Sequence, residues 1–205
     1  MTSAAAAEPA RLQPGVRSYT VADLRTLPEG SPQCELIDGS IIVAPSSTGS
    51  HNLLRRWIAQ VLEDANPGTE FVVGTGQPVT IDDQNEPWPD IVVHPAAYLD
   101  DSPIPVAGVQ LVAEVVSPTS ALRDTEIKRR PYARAGVPVY WVIVQDQDAA
   151  TIALAEMALE GTEYRYITHY TTGLFRTEQP WPVEIDLPAM AMRMARYRKP
   201  SADVS

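Results

Sequence analysis

The chain has 205 residues, 44% of them hydrophobic and 20% charged, with a formal net charge of −10. That apolar share supports one domain with a substantial core and excludes wholesale disorder. A single cysteine, Cys34, excludes an intrachain disulfide framework. No apolar run approaches the roughly 20 residues needed to cross a bilayer. The start, Met1 to Glu8, carries an early acid and no basic segment, so the expectation is a cytoplasmic protein without membrane contact. The acidic balance weighs against tight nucleic-acid binding, which draws most of its affinity from neutralised phosphates. The basic residues are nevertheless grouped: Arg55 with Arg56, then Arg123, Lys128, Arg129, Arg130 and Arg134, then Arg193, Arg196, Arg198 and Lys199.

Residues 1–17, rich in Ala and Pro, read as a flexible arm. Thr20 followed by Asp23 predicts a capped short helix ending near Pro28-Glu29-Gly30. Asp38-Gly39, between Cys34-Glu35-Leu36-Ile37 and Ser40-Ile41-Ile42-Val43, is a strong hairpin signal. Ser47 or Thr48 caps a helix in which Leu53, Leu54, Trp57, Ile58, Val61 and Leu62 recur at helical spacing; Asn66-Pro67-Gly68 stops it. Strands follow over 70–75 and 77–81, then a polar turn, then a short apolar strand, Asp90-Ile91-Val92-Val93, with an acid at its mouth.

Pro103 and Pro105 mark a loop. Val109 to Val116 is apolar on both faces, as in a central strand, apart from Gln110 and Glu114. A helix is predicted over about 120–135, ended by Gly136 and Pro138, and a buried strand over 139–144. Alternating strands over 151–158 and 163–169 form a hairpin around Glu160-Gly161. The order implies an α/β or mixed α+β fold, a mixed central sheet with helices on it and an antiparallel hairpin extension. The expected organisation is the arm, one domain over 18–190 and a basic tail over 191–205, with a helix predicted from about 188.

Glu114 is the first candidate for chemistry. An ionised carboxylate inside Val112-Ala113-Glu114-Val115-Val116 is costly unless it is paired or bound to a metal. Asp90 heads a second apolar strand, and two carboxylates on adjacent strands can hold Mg2+ or Mn2+ between them. The plainer alternative is that each acid caps a strand end or pairs with an arginine. Asp124 and Lys128 are four apart, on one helix face. They could form a surface ion pair, or Lys128 could reach the metal site as that helix folds back over the sheet. Trp88, between two prolines beside Asp90, either stacks on a base or walls the site. His51 either contacts a phosphate or the metal's surroundings, or serves as a cap or packed residue. Tyr132 either hydrogen-bonds the site or anchors its helix.

Together these residues carry a family resemblance. Glu35-Leu36-Ile37-Asp38-Gly39, His51, Pro89-Asp90, Glu114-Val115-Val116-Ser117-Pro118-Thr119-Ser120, Asp124, Lys128, Tyr132 to Pro138 and Tyr140-Trp141 resemble the Uma-two family. That family is a branch of the PD-(D/E)XK nuclease superfamily, and the likeness spans about residues 20–185. It implies a restriction-endonuclease-like core and a Mg2+-dependent DNA endonuclease, with Mn2+ able to substitute. Asp90 and Glu114 would be metal ligands with the Val115 carbonyl, and Glu35 an additional acid. The superfamily's usual lysine position is occupied by Val116, and the lysine is supplied by Lys128 on the next helix. The alternative is a catalytically silent nucleic-acid- or protein-binding module on the same fold. A homodimer is expected, because cutting both strands of a duplex takes two sites. The chain departs from the family pattern at Cys34 and Ser40, which flank the Glu-Leu-Ile-Asp-Gly run. It departs again at Pro131, expected to kink the helix beyond Lys128.

Overall fold

A computed structural model describes residues 18–44, 46–116, 121–146 and 150–197, with residues 121–125 described in backbone only. Helix α1 (Val21–Leu24) opens with a complete capping box, in which Thr20 and Asp23 satisfy each other's backbone N–H groups. Strands β1 (Cys34–Ile37) and β2 (Ser40–Val43) form the expected hairpin. At its tip Asp38 and Gly39 take φ of 45° and 71°, the left-handed pair that a two-residue turn of this twist requires.

Thr48 caps helix α2 (Gly49–Asp64), its hydroxyl accepting from the His51 N–H. The helix buries Leu54, Trp57, Ile58, Ala59 and Leu62. Each large apolar side chain there contributes about 1.5–3 kcal/mol relative to exposure. The Trp57 ring also lies under the Arg193 guanidinium, 4.4 Å from its centroid.

Six strands make the central sheet: β3 (Phe71–Thr75), β5 (Ile91–Pro95), β7 (Leu111–Val116), β8 (Val139–Asp146), β9 (Thr151–Glu160) and β10 (Glu163–Thr171). Their order is β10-β9-β8-β7-β5-β3. Only β7 and β8 pair in parallel, and α3 (Ala121–Arg134) is the crossover between them. The strong β-propensity and two-sided burial of β7 and β8 fit their central positions. One sheet face packs on α2 through Ile91, Val93, Leu111, Ala113 and Trp141. The other packs under α3 through Val92, Val112, Tyr140, Val142 and Tyr132. Glu114 is of the same parity as Val112, which places it on the α3 side.

Helix α3 runs on through Pro131 to Arg134. It ends in a Schellman turn: Gly136, at φ 81°, donates to the Ala133 carbonyl, and Val137 donates to that of Tyr132. Tyr132 is fully buried against Tyr140, ring centroids 6.0 Å apart, and its hydroxyl makes no hydrogen bond. It anchors the helix. Arg134 pairs with Asp38, tying the end of α3 to the hairpin tip.

Two features depart from the sequence reading. Ile104–Pro105, expected as loop, forms a short parallel strand (β6) against β4 (Val79–Thr80). An unforeseen hairpin, β11 (Leu174–Thr177) and β12 (Val183–Asp186), buries Phe175, Val183 and Ile185 on the α2 face. Helix α4 (Leu187–Ala195) forms where the sequence predicts a helix from about 188, and it buries Met194. The arm and Ser117 to Ser120 lie outside the described residues, as does the Asp124 side chain.

Candidate active site

The β5–β7 register pairs Ile91 with Ala113, which sets Asp90, just ahead of β5, opposite Glu114. Glu114 faces the α3 side, whereas the Asp90 carboxylate, ahead of the first residue of β5, meets the Val115 N–H and side chains of α2 at the strand end. The Asp90 Oδ2 accepts the Val115 N–H at 2.8 Å, which fixes its rotamer. Glu35 arrives from β1, which docks through reciprocal backbone bonds between Leu36 and Glu86. Glu86 is itself buried and held by a bidentate Arg25 and the Thr80 hydroxyl. Lys128 descends from α3 between the acids: its Nζ lies 2.8 Å from Glu35 Oε1 and 3.4 Å from Glu114. The four residues predicted from sequence therefore converge, and they line one cleft of about 660 Å³.

From α2 the structure brings in His51, for which the sequence left two readings, and adds Arg55. His51 Nε2 stands 3.1 Å from Asp90 Oδ2 and 3.1 Å from the Val115 carbonyl oxygen. One turn on, Arg55 Nη1 is 3.6 Å from Asp90 Oδ1. His51 is thus more than a helix-start residue, although it also occupies the capped turn. The sequence signal that could have found Arg55 is its spacing from His51: four residues apart at the start of an amphipathic helix, they share a face. Trp88 lines the same cleft, partly exposed. Trp57 and Trp141 belong to the core, and so does Cys34, whose thiol donates to the Pro32 carbonyl.

Burial dominates the electrostatics. Glu114 is enclosed, and burial pushes its carboxyl up to about 8 against the opposing pull of Lys128. The negative neighbours Asp90 and Glu35 add to that push. Glu35 moves in the same direction for the same first cause. For Lys128, burial pulls downward, but Glu114 and Glu35 outweigh it and hold the ammonium above its ordinary value. Burial also opposes protonation of His51, and the hydrogen bond and charge of Asp90 overcome it, leaving the imidazole raised. Glu114 Oε1 is buried with no hydrogen-bond partner. The three carboxylates thus share this centre with the Lys128 ammonium, the Arg55 guanidinium and the His51 imidazole.

A profile of the Uma-two family, described as "putative restriction endonuclease", matches residues 21–192. A search among curated proteins found no match. Among solved structures, the chain is similar to a "putative nuclease belonging to DUF820" from Anabaena variabilis ATCC 29413. The TM-score is 0.65 at 17% identity, over 85% of this chain and 98% of that one, a likeness of fold. Matched over nearly all of its folded length, the chain belongs to the Uma-two family and carries a nuclease-like fold.

Proposed function

We propose that the protein is a divalent-metal-dependent endonuclease that hydrolyses DNA phosphodiester bonds in this cleft. The observation that carries the reading is the convergence of Asp90, Glu114, the Val115 carbonyl and Lys128 at one place. Among the described residues, no group of three or more His, Cys, Asp or Glu side chains is arranged to hold a metal by itself. Two carboxylates and a backbone carbonyl are nonetheless an all-oxygen donor set of the kind Mg2+ and Mn2+ prefer. Glu114 Oε1, which makes no hydrogen bond and has the Lys128 ammonium at 3.4 Å, fits that role. Asp90, Glu114 and the Val115 carbonyl would hold the cation, which when bound supplies Lewis acidity to the phosphate and to an attacking water.

The chain's own residues divide the remaining work. Asp90 is fixed by the Val115 N–H, so its position does not depend on the ligand. Lys128 stays protonated at neutral pH, since two carboxylates hold its proton. It therefore acts as a fixed positive charge that orients water or offsets charge developing on the phosphate, not as a general base. Glu35 positions that ammonium.

The test is incubation of supercoiled plasmid and of labelled oligonucleotides with Mg2+ or Mn2+, beside the Asp90→Asn variant. Cleavage that needs both the metal and Asp90 is the expected result. No cleavage under any metal condition overturns the reading. A binding module on the same fold has the net charge of −10 in its favour; its mark is nucleic-acid or protein binding that survives Asp90→Ala.

A further inference from the structure

We infer that the cleft takes an unstacked nucleotide, as single-stranded nucleic acid presents it, with the base laid against Trp88. The inference rests on the nuclease reading and names the substrate form that the same cleft accepts. Its first support is charge. The lysine and arginine that line the cleft, Lys128 and Arg55, are both engaged with carboxylates. Neither is free to track a phosphate backbone, so affinity in the cleft has to come from contact with the base, which an unstacked nucleotide exposes.

The second support is what lines the cleft instead. Ile42 and Val43 on β2, 39% and 51% exposed, join Ile127 and Trp88 as an apolar wall around the carboxylates. Solvent-facing aliphatic side chains at a strongly charged centre serve neither the core nor the metal. They suit the faces and edges of bases, which become accessible when a nucleotide leaves its stack. A volume of about 660 Å³ falls in the range that holds a small ligand, the size class of a nucleotide.

Rigidity is the third. Trp88 lies between Pro87 and Pro89, whose rings fix the backbone on both sides. The Trp88 backbone N–H donates to the Glu35 carboxylate, which is itself paired with Lys128. Trp88 is thus held by the same network that holds the charged centre, with one residue between it and Asp90. A base stacked there sets its adjoining phosphate beside the carboxylates.

The experiment uses the full chain and one 20-nucleotide sequence in three forms: single-stranded DNA, duplex DNA and single-stranded RNA. Binding is read by fluorescence anisotropy in Ca2+, and cleavage in Mn2+. Single strands should bind and be cut at least about tenfold better than the duplex. Trp88→Ala should weaken single-strand binding by about five- to a hundred-fold, the range for loss of one base–aromatic stack. Trp88→Phe should restore most of it, with melting temperatures recorded to confirm that both variants fold. Which single strand is preferred assigns the sugar. Equal or better binding of the duplex, absence of single-strand binding, or indifference to Trp88→Ala in a folded variant overturns the inference. Trp88-dependent binding without cleavage of any form would sustain it and remove the nuclease reading instead.

Discussion

Lys128 Nζ sits 2.8 Å from Glu35 Oε1, joining the crossover helix α3 to the N-terminal hairpin at the floor of the cleft. Because Glu114 lies on the ammonium's other side at 3.4 Å, removing the lysine strands two buried carboxylates at once. Breaking such a buried pair costs about 3–5 kcal/mol where the partner stays charged. Lys128→Met should therefore destabilise the fold by a few kcal/mol near pH 8 and by much less near pH 5, where the acids protonate. Adding Glu35→Gln should recover part of that loss. Chemical denaturation of both variants at the two pH values checks the coupling.

Without metal, stability should fall as pH rises. The Glu114 carboxyl is pushed up from an ordinary 4.5 to about 8, chiefly by burial, and Glu35 moves the same way. An acid raised in the folded state binds its proton more tightly folded than unfolded. Its contribution is whole below the ordinary value and is lost as pH climbs through the folded one. Melting in EDTA should accordingly drop between about pH 5 and about pH 8. Stabilisation by Mn2+ should grow over the same window, because the cation takes the proton's place. Calorimetry of Mn2+ binding in buffers of different ionisation enthalpy should show proton release near neutral pH.

His51 should compete with the metal. Its Nε2 faces two acceptors, Asp90 Oδ2 and the Val115 carbonyl oxygen, so Nε2 must carry hydrogen to satisfy them. Nδ1 is buried with no hydrogen-bond partner, so the tautomer that would free Nε2 to ligate has nowhere to place its proton. A cation arriving at those oxygens displaces a charge-assisted donor worth about 1.5–3 kcal/mol. His51→Ala should then tighten Mn2+ binding, by about tenfold or more. A weaker Mn2+ affinity in this variant would make His51 a ligand instead.

Asp90→Asn and Glu114→Gln should each lower metal-dependent cleavage by at least about a hundredfold while leaving the fold intact. Electrostatic groups of this kind are commonly worth that much in rate. In Asp90→Asn the side-chain amide would still accept the Val115 N–H through its carbonyl oxygen, so circular dichroism should match the wild type. Glu114→Gln removes a buried carboxyl that ionises reluctantly, so its metal-free stability near pH 8 should equal or exceed that of the parent.

The parts of the fold that were legible in the sequence are those set by local chemistry. The Asp38-Gly39 turn, the Thr20 and Thr48 caps and the apolar runs of β7 and β8 each appear where their residues direct. The β11–β12 hairpin was not legible, because its short strands are joined by residues 178–182 without the Asp-Gly turn signal that marks β1–β2; packing on α2 and α4 makes Phe175 and Ile185 core. At the site, Asp90 and Glu114 announced themselves as acids on apolar strands. Lys128 stood as one of two alternatives, surface ion pair or site, and Glu35 entered through the family resemblance, since their approach depends on tertiary docking of the crossover helix and the hairpin. His51 lies in the first turn of α2, its N–H capped by Thr48, and its place at the site depends on the distant strand end that it faces.

The central claim is that Asp90, Glu114 and the Val115 carbonyl together hold a divalent cation beside Lys128. Anomalous diffraction from crystals of the full chain soaked in millimolar Mn2+ tests it most directly. The account predicts a peak about 2.1 Å from a carboxylate oxygen of each acid and from the Val115 oxygen, with the His51 ring moved off its two acceptors. Well-ordered carboxylates with no peak between them, and Lys128 still bridging Glu35 and Glu114, would contradict it.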